Sequence, residues 1–383
     1  MEPIQLFRPK YRTEEALAEI RECLERGWTG AGFKTLQFEE AWRRYSGFAH
    51  AHFVNSGTAA LHLAIKLLKE DGGWPEGSEV VSTPFTFVST NHVILYEGLT
   101  PVFADIDESL CLDPASVGSR ITERTRAVCF VGIGGNIGCY RQIRDLCRAR
   151  GLALILDAAH MAGSWIGSVH AGVDADAAAF SFHSVKNLPT ADSGLVCFAR
   201  EDLDREVRQW SWLGIDKDTF TRSVEEAATY RWRYDVRHLG FKYHGNSVMA
   251  ALALVGLRYL EEDNRRRREI ASWYDEALQD VPTISRIPQP EGFCSSRHLY
   301  QIMVDRRDEM ILGLNRRGIF PGMHYADNTS YPMYRSGEGN CPRARKASER
   351  ILSLPMHLDL SRCDVERIAE ALRLTCSELP LHG

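Results

Sequence analysis

The sequence predicts an α/β protein with a mostly parallel central sheet and a smaller C-terminal α+β domain. Between residues 50 and 200, short β-rich runs alternate with helical patterns, which is typical of a parallel sheet covered by helices. The runs Val128–Val131 and Leu154–Leu156 are almost wholly apolar, as expected for strands buried on both faces. After residue 245 the pattern changes to one long helix followed by shorter elements, which indicates a second, smaller domain.

The predicted elements follow one another in a regular order. Two amphipathic helices come first, over residues 14–26 and 37–45, and each ends near a glycine. We predict strands over 52–54, 79–82, 102–106, 127–132, 152–156, 178–182 and 195–199. A helix over 249–278 then precedes elements near 298–304, 310–318 and 365–374. The expected division is a large domain over 1–248, including the N-terminal helical segment, and a small domain over 249–383.

Composition and charge argue against several classes of protein. The 383 residues include 46 Lys or Arg and 51 Asp or Glu, and the resulting net charge of -5 argues against a nucleic-acid-binding surface. No basic region followed by an apolar core opens the chain, and no window has the length of a membrane span, so we expect a cytoplasmic protein that makes no membrane contact. The basic run Arg265–Arg268 follows Glu261–Asp263 and is typical of a solvated helix face. The ten cysteines form no Cys-x-x-Cys pair, so we predict neither a metal site nor a disulfide framework.

Two residues near the ends of consecutive strands indicate a specific chemistry. Asp157 ends an apolar strand, where a carboxylate has no packing role, and Lys186 lies in a polar turn after the next strand. A pyridoxal 5'-phosphate (PLP) site needs an amine to hold the aldehyde as an imine and a carboxylate to keep the pyridine nitrogen protonated. Taken singly, Lys186 is typical of a surface lysine and Asp157 of a helix cap. Together they suggest a Schiff-base enzyme.

A phosphate-binding turn and an aromatic side chain are predicted at the same edge of the sheet. Ser56, Gly57 and Thr58 connect a strand to an apolar-faced helix, and the free amide groups at a helix start favour an anion. Gly57 permits a close approach of the backbone. The alternative is a capped helix that binds nothing. Phe87 follows the next strand and could stack on a flat ring, although a lone aromatic residue is more often part of the core.

Two further residues are candidates for the same site. His160 lies three residues after Asp157 and could contact the ring or its phenolic oxygen, although a lone histidine is more often structural. Ser181 alternates with two phenylalanines and could donate its hydroxyl to the phosphate.

A competing pattern occurs at Gly132–Gly138, which follows a strand, precedes a helix and imitates a dinucleotide-binding fingerprint. The Gly-x-Gly-x-x-Gly pattern needs glycine at position 137, where this chain has Ile137. A nicotinamide-dependent oxidoreductase therefore stays as an alternative.

These segments together resemble the DegT/DnrJ/EryC1/StrS family of sugar aminotransferases, which are PLP-dependent enzymes of fold type I. The likeness extends along almost the whole chain. The motifs that carry it are Gly27–Gly32 with Phe38–Glu39, Asn55–Ala64, Thr83–Phe87 with Pro101–Asp107, Asp157–His160, Ser181–Asn187, Gly240–Tyr243, Gly318–Ile319 with His324–Tyr325, and Leu352–Pro355.

The resemblance implies a role for each candidate residue. Lys186 would bind the cofactor covalently, Asp157 would pair with its pyridine nitrogen, and Phe87 would stack on its ring. The remaining cofactor contacts would come from His160 beside the ring and, around the phosphate, from Ser56, Gly57, Thr58 and Ser181.

The resemblance also implies a reaction and an assembly. An amino acid, expected to be L-glutamate, would give its amino group to the keto sugar of a nucleotide-linked deoxysugar, for a surface polysaccharide or an antibiotic. The protein would be a homodimer with its active sites at the interface. A cyclitol or another keto compound stays open as the acceptor, and a PLP-binding regulator without turnover stays open as another class of function. Some relatives are sugar dehydratases that carry histidine at the lysine position, so Lys186 favours transamination.

Two segments depart from the family pattern. Lys242 and His244 stand where many members have Asn and Arg, and Lys242 is a candidate for a phosphate contact across the subunit interface. Ala191–Gly194 stands where the family often has Gly-Glu-Gly-Gly. This second departure leaves the substrate side of the pocket open.

Overall fold

The computed structural model describes residues 2–216, 234–281 and 283–379, and its largest sheet has seven strands. The first nine strands are β1 (His50–Val54), β2 (Glu79–Ser82), β3 (Thr100–Phe103), β4 (Thr125–Val131), β5 (Ala153–Asp157), β6 (Trp165–Ile166), β7 (Val169–His170), β8 (Ala177–Ser181) and β9 (Gly194–Phe198). The order across the large sheet is β1-β9-β8-β5-β4-β2-β3. Strand β9 runs antiparallel to both of its neighbours, and the other pairs are parallel, which confirms the predicted mostly parallel sheet.

Helices cover this sheet and continue into the C-terminal part of the chain. They are α1 (Thr13–Glu25), α2 (Phe33–Ser46), α3 (Gly57–Gly72), α4 (Val88–Tyr96), α5 (Pro114–Arg120), α6 (Tyr140–Arg150), α7 (Glu201–Trp210), α8 (Ser247–Ala277), α9 (Arg307–Arg316), α10 (Pro342–Arg350) and α11 (Arg362–Glu378). Among the described residues, no helix combines the length and apolar character that crossing a membrane requires.

The alternation of side chains along the central strands builds a core on each face of the sheet. In β8, Ala177 and Ala179 belong to the apolar cluster on the α3 side, whereas Ala178 and Phe180 belong to the cluster on the opposite face. Trp42 of α2 packs on Phe180, with the ring centroids 4.8 Å apart. Burial on both faces explains why the central strands are apolar throughout.

The C-terminal part contains a second sheet, which has three antiparallel strands in the order β10-β12-β13. Its strands are β10 (Ile284–Arg286), β12 (Tyr300–Val304) and β13 (Ile351–Leu354), while the short β11 (Phe293–Cys294) pairs with β6. Helix α8 connects the two parts, because Ala250 lies in the core of the large sheet and Tyr274 in that of the small sheet. The prediction of an α+β C-terminal part is confirmed, and the boundary at residue 248 stays a prediction.

The chain start packs against the C-terminal part. Ile4 pairs with Ile319 and lies in the apolar cluster of the small sheet, and the Leu6 carbonyl accepts a hydrogen bond from the Met356 amide. The next residue, Phe7, is thereby held near the end of the large sheet.

The expectation of a solvated face at Arg265–Arg268 is wrong for one member of the run. Arg265 is exposed, but Arg267 is only 8% exposed and its guanidinium lies 3.4 Å from the Asn264 side-chain oxygen. A run of four arginines on an α-helix spans more than one face, so one of them must turn toward the core. Charge alone does not indicate which one.

Candidate functional site

A cavity of about 370 Å³ lies at the carboxyl ends of the parallel strands, between the large sheet and the C-terminal part. Strands β1, β5 and β8 all end at this edge of the sheet, which is where open α/β sheets bind ligands. Eight of the nine candidate residues line the cavity, namely Ser56, Gly57, Thr58, Phe87, Asp157, His160, Ser181 and Lys186.

The turn from β1 into α3 forms an anion-binding cup. The Ser56 hydroxyl caps the helix by accepting a hydrogen bond from the Ala59 amide at 3.1 Å. The first amides of a helix have no acceptor within it, and the helix dipole adds positive charge at this end. A Cβ atom on Gly57 would lie 2.7 Å from the Ser181 Cβ, so only glycine lets the cup approach strand β8 this closely.

The reversal of strand β9 also shapes the cup. Gly194 pairs with Val54 on one side and with Ser181 on the other, so the start of β9 lies between the ends of β1 and β8. A Cβ atom at Gly194 would overlap the Ser56 carbonyl group. The glycine that ends the unusual Ala191–Gly194 segment therefore has a packing role.

Asp157 lies on the buried side of the cavity with few hydrogen-bond donors around it. It is 5% exposed; one carboxylate oxygen accepts the Thr90 hydroxyl at 2.7 Å and the other accepts the Ala159 amide at 3.1 Å. Burial raises the pKa of the Asp157 carboxyl, while the bonds from Thr90 and Ala159 lower it. A cationic partner in the cavity would stabilise the ionised form.

Thr90 was not predicted as part of the site. Its hydroxyl lies 2.9 Å from that of Thr86, and the spacing of four residues puts both threonines on one face of the turn that begins α4. That spacing, directly after the strand that precedes Phe87, is the signal that could have found it.

The backbone turn that carries Lys186 is fixed by hydrogen bonds of the next residue, Asn187. The Asn187 amide nitrogen donates to the Asn264 side-chain oxygen and to the Ser296 carbonyl, both at 2.8 Å, and its oxygen lies 2.9 Å from His298 Nδ1. Burial lowers the pKa of the Lys186 amine to about 8, and the Asp157 charge partly opposes that shift. A substantial fraction of the amine is therefore neutral near physiological pH.

His160 has a defined tautomer. The Gly134 amide donates to His160 Nδ1 at 3.0 Å, so the ring proton lies on Nε2, which faces the Tyr325 hydroxyl at 3.1 Å. Burial, together with the Lys186 charge, holds the pKa of His160 well below its ordinary value. His160 is thus a neutral donor to Tyr325, whose hydroxyl proton remains available to the cavity. No role had been predicted for Tyr325.

Two candidates stand apart from these contacts. Phe87 precedes α4, is 56% exposed, and has its ring centroid 5.9 Å from that of Tyr325. Lys242 does not line the cavity, and its ammonium lies 3.3 Å from the centre of the Trp212 ring. Because the expectation for Lys242 concerns a second subunit, it stays a prediction.

Asp192 and His183 occupy another part of the cavity wall. Burial raises the pKa of the Asp192 carboxyl, and the charge of His183 opposes this. Both side chains can hydrogen-bond to hydroxyl groups, and Asp192 belongs to the segment that departs from the Gly-Glu-Gly-Gly pattern.

The fold and the cavity define an α/β protein in which a buried lysine and a buried carboxylate line one cavity beside the start of a helix. Residues 10–373 match the model of the DegT/DnrJ/EryC1/StrS aminotransferase family, and the chain belongs to this family. The predicted family is confirmed, and the nicotinamide-dependent oxidoreductase considered for Gly132–Gly138 is wrong.

Individual relatives agree with this assignment. Spore coat polysaccharide biosynthesis protein SpsC of Bacillus subtilis is 35% identical in an alignment of 372 residues, with coverage of 94% for each chain. The aminotransferase TlmJ of Streptoalloteichus hindustanus is 33% identical, with a TM-score of 0.89 over 98% of this chain and 99% of that one. The PLP-form of the putative sugar aminotransferase Spr1654 of Streptococcus pneumoniae is 27% identical, with a TM-score of 0.88 over 98% and 99% of the two chains.

The protein is therefore a PLP-dependent sugar aminotransferase with the fold type I architecture. The cavity fits this cofactor on chemical grounds. It offers an anion-binding cup at Gly57, a buried carboxylate at Asp157 that lacks a cationic partner among the described residues, and a desolvated amine at Lys186.

The lowered pKa of Lys186 predicts how its reactivity depends on pH. Only the neutral amine is a nucleophile, and burial shifts half-deprotonation from the ordinary 10.5 to about 8. In the cofactor-free protein, we expect the rate of Lys186 acetylation by an amine reagent to rise up to pH about 8 and to level off above it. Peptide mass spectrometry after short pulses at each pH measures this rate, and a half-point near pH 10.5 would contradict the burial.

Proposed function

We propose that this enzyme moves an amino group from L-glutamate to the keto group of a nucleotide-linked deoxysugar. The observation that carries the proposal is that a buried carboxylate, Asp157, and a buried amine, Lys186, line the same cavity. The cup at Gly57, suited to an anion, lines this cavity too. The family and its PLP chemistry support transamination, and Lys186 provides the amine that this reaction requires.

The roles we assign divide the cavity into three parts. PLP, when bound, supplies an electron sink for the carbanion at the substrate carbon. Gly57, Thr58 and Ser181, with the cap residue Ser56, hold the phosphate in the cup. Asp157 holds a proton at the pyridine nitrogen, because a buried carboxylate gains most from a cationic partner.

The remaining side chains orient the ring and move protons. Phe87 covers one face of the ring. His160 donates to Tyr325, so the Tyr325 hydroxyl can donate to an oxygen at the ring edge. Lys186 moves the proton between the donor carbon and the cofactor carbon, since an amine with a pKa of about 8 can serve as both base and acid.

The acceptor side of the proposal is supported by Asp192 and His183, whose polar groups suit sugar hydroxyls. The B. subtilis relative is described as a polysaccharide biosynthesis protein, which agrees with a sugar acceptor that serves a surface polysaccharide. The nucleotide carrier and the glutamate donor follow from the resemblance of the sequence motifs to the family.

We also propose a homodimer in which Lys242 reaches the phosphate in the partner's cavity. An exposed apolar surface lies beside Lys242. Tyr96 is 60% and Leu213 44% exposed, and the two are linked through His62 and Phe241. Exposed apolar surface of this kind is typical of protein interfaces.

The cytoplasmic location stays a prediction from the sequence.

The cup predicts that Gly57→Ala weakens PLP binding. The added methyl carbon would lie 2.7 Å from the Ser181 Cβ and would force the start of α3 away from β8, at a cost of about 1–3 kcal/mol. We expect the dissociation constant for PLP, measured by fluorescence titration of the cofactor-free protein, to rise about tenfold. Gly30→Ala is the matched control, because a Cβ atom there meets nothing within 4 Å. Equal affinities for the two variants would exclude the cup from phosphate binding.

The reaction is tested in two halves. We expect the PLP-loaded protein to convert L-glutamate into one equivalent of 2-oxoglutarate per subunit, and a nucleotide-linked keto sugar to restore the original spectrum. Lys186→Arg keeps the positive charge but, lacking an amine that can move the proton, should slow the first half by about 10²- to 10⁴-fold. Absence of 2-oxoglutarate would rule out glutamate as donor. Equal turnover of the free keto sugar and its nucleotide-linked form would rule out recognition of the carrier.

A further inference from the structure

A second cavity, of about 620 Å³, lies behind the wall of the active site. It is formed by the loop that follows β4, the end of α8 and the start of the small sheet. No described residue lines both cavities. Its volume is within the range of small-molecule binding sites.

Arg297 provides an unpaired positive charge in this second cavity. Within residues 2–216, 234–281 and 283–379, no hydrogen bond or ion pair is formed by its guanidinium, which has five N–H donors. Burial lowers the pKa of Arg297, and the charge of Asp275 opposes that shift only in part. Its backbone also has φ of 48°, a conformation that is costly for a residue with a side chain.

Asp275, the carboxylate whose charge acts on Arg297, also has other partners. Asp275 accepts the Tyr300 hydroxyl at 2.7 Å, and the same oxygen lies 3.5 Å from the Arg286 guanidinium. The described lining thus has one carboxylate, Asp275, for two guanidinium groups, those of Arg286 and Arg297, and its net charge is positive.

A second unsatisfied group lies in the same cavity. The Gln289 side-chain oxygen is buried and has no hydrogen-bond partner in the described part of the chain. A buried acceptor without a donor costs free energy, about 1–3 kcal/mol, so a ligand with a hydroxyl group would stabilise it. Leu278 and Val281 also line the cavity and provide apolar contacts.

We propose that this cavity binds a sugar phosphate, with the phosphate on Arg297 and a sugar hydroxyl donating to Gln289. The planar guanidinium can bind a phosphate through two parallel hydrogen bonds. The sugar supplies the donor that Gln289 lacks, and its C–H faces lie on the apolar surface. This inference goes beyond the proposed function and does not depend on it, because binding is measured without turnover.

The second cavity is connected to the active site by short covalent and hydrogen-bonded links. Gly134, which lines it, donates its amide to His160, and Gln301, which also lines it, donates to the His324 carbonyl at 2.8 Å. Arg297 itself precedes His298, which contacts Asn187 beside the catalytic lysine. Arg297 is therefore one residue away in the chain from His298, which lines the active site.

The test is isothermal titration of the PLP-loaded protein with glucose 1-phosphate and, separately, with inorganic phosphate. Arg297→Gln should weaken glucose 1-phosphate binding by at least about tenfold, the loss expected for a charge-assisted hydrogen-bonded pair. Gln289→Leu should reduce the affinity for glucose 1-phosphate toward that for inorganic phosphate. The control is Arg316→Gln on the exposed side of α9, which removes the same charge outside the cavity and should change neither affinity.

Two results would overturn the proposal. An unchanged dissociation constant in Arg297→Gln would mean that the sugar phosphate binds elsewhere. Equal binding of glucose 1-phosphate and inorganic phosphate to the unmodified protein, with no effect of Gln289→Leu, would mean that no sugar is recognised. The Gln289→Leu variant keeps the test decisive if Arg297→Gln fails to fold, because Gln289 lies in a loop outside the strands and helices.

Discussion

The site depends on the burial of two opposite charges at one edge of the sheet. Asp157 ends the central strand β5, and Lys186 follows the neighbouring strand β8, so the parallel pairing of these strands brings both to the same cavity. Burial raises the pKa of the carboxyl and lowers that of the amine, and no described residue forms an ion pair with either side chain. The carboxylate is therefore suited to a cationic ring nitrogen, and the amine is suited to an aldehyde.

The remaining parts of the site are positioned by backbone packing rather than by side-chain contacts. Strand β9 reverses direction and begins between β1 and β8, and its first residue, Gly194, leaves room for the Ser56 carbonyl. Gly57 allows the start of α3 to touch Ser181 in the same way. Two glycines therefore set the width of the cup, and the hydroxyl groups of the serines are secondary to that geometry. The anchoring of Asn187 by Ser296 and His298 ties the lysine turn to the C-terminal part of the chain.

Strand composition was sufficient to predict the sheet, and residue types at the strand ends indicated eight residues that line the cavity. The family was predicted from the resemblance of the sequence motifs to those of known members. The spacing of Thr86 and Thr90 could have indicated Thr90, although not its contact with Asp157, 67 positions away. The contact of Tyr325 with His160 was not predictable, because it joins residues 165 positions apart. Contacts of this kind depend on how the C-terminal part packs, which no local pattern encodes. The burial of Arg267 was not predictable for the same reason, because tertiary packing buries this arginine although it belongs to a basic run. Lys242 does not line the cavity of its own chain, so the phosphate contact predicted for it would require a second subunit.

The central claim is that Lys186, held opposite Asp157, is the residue that binds the cofactor. The most direct measurement is reduction of the PLP-loaded protein with borohydride, followed by proteolysis and mass spectrometry to locate the pyridoxyl group. The account predicts that the label lies on the peptide that contains Lys186 and that Lys186→Arg carries none. A label on Lys242 or on any other lysine, persisting in that variant, would contradict the account.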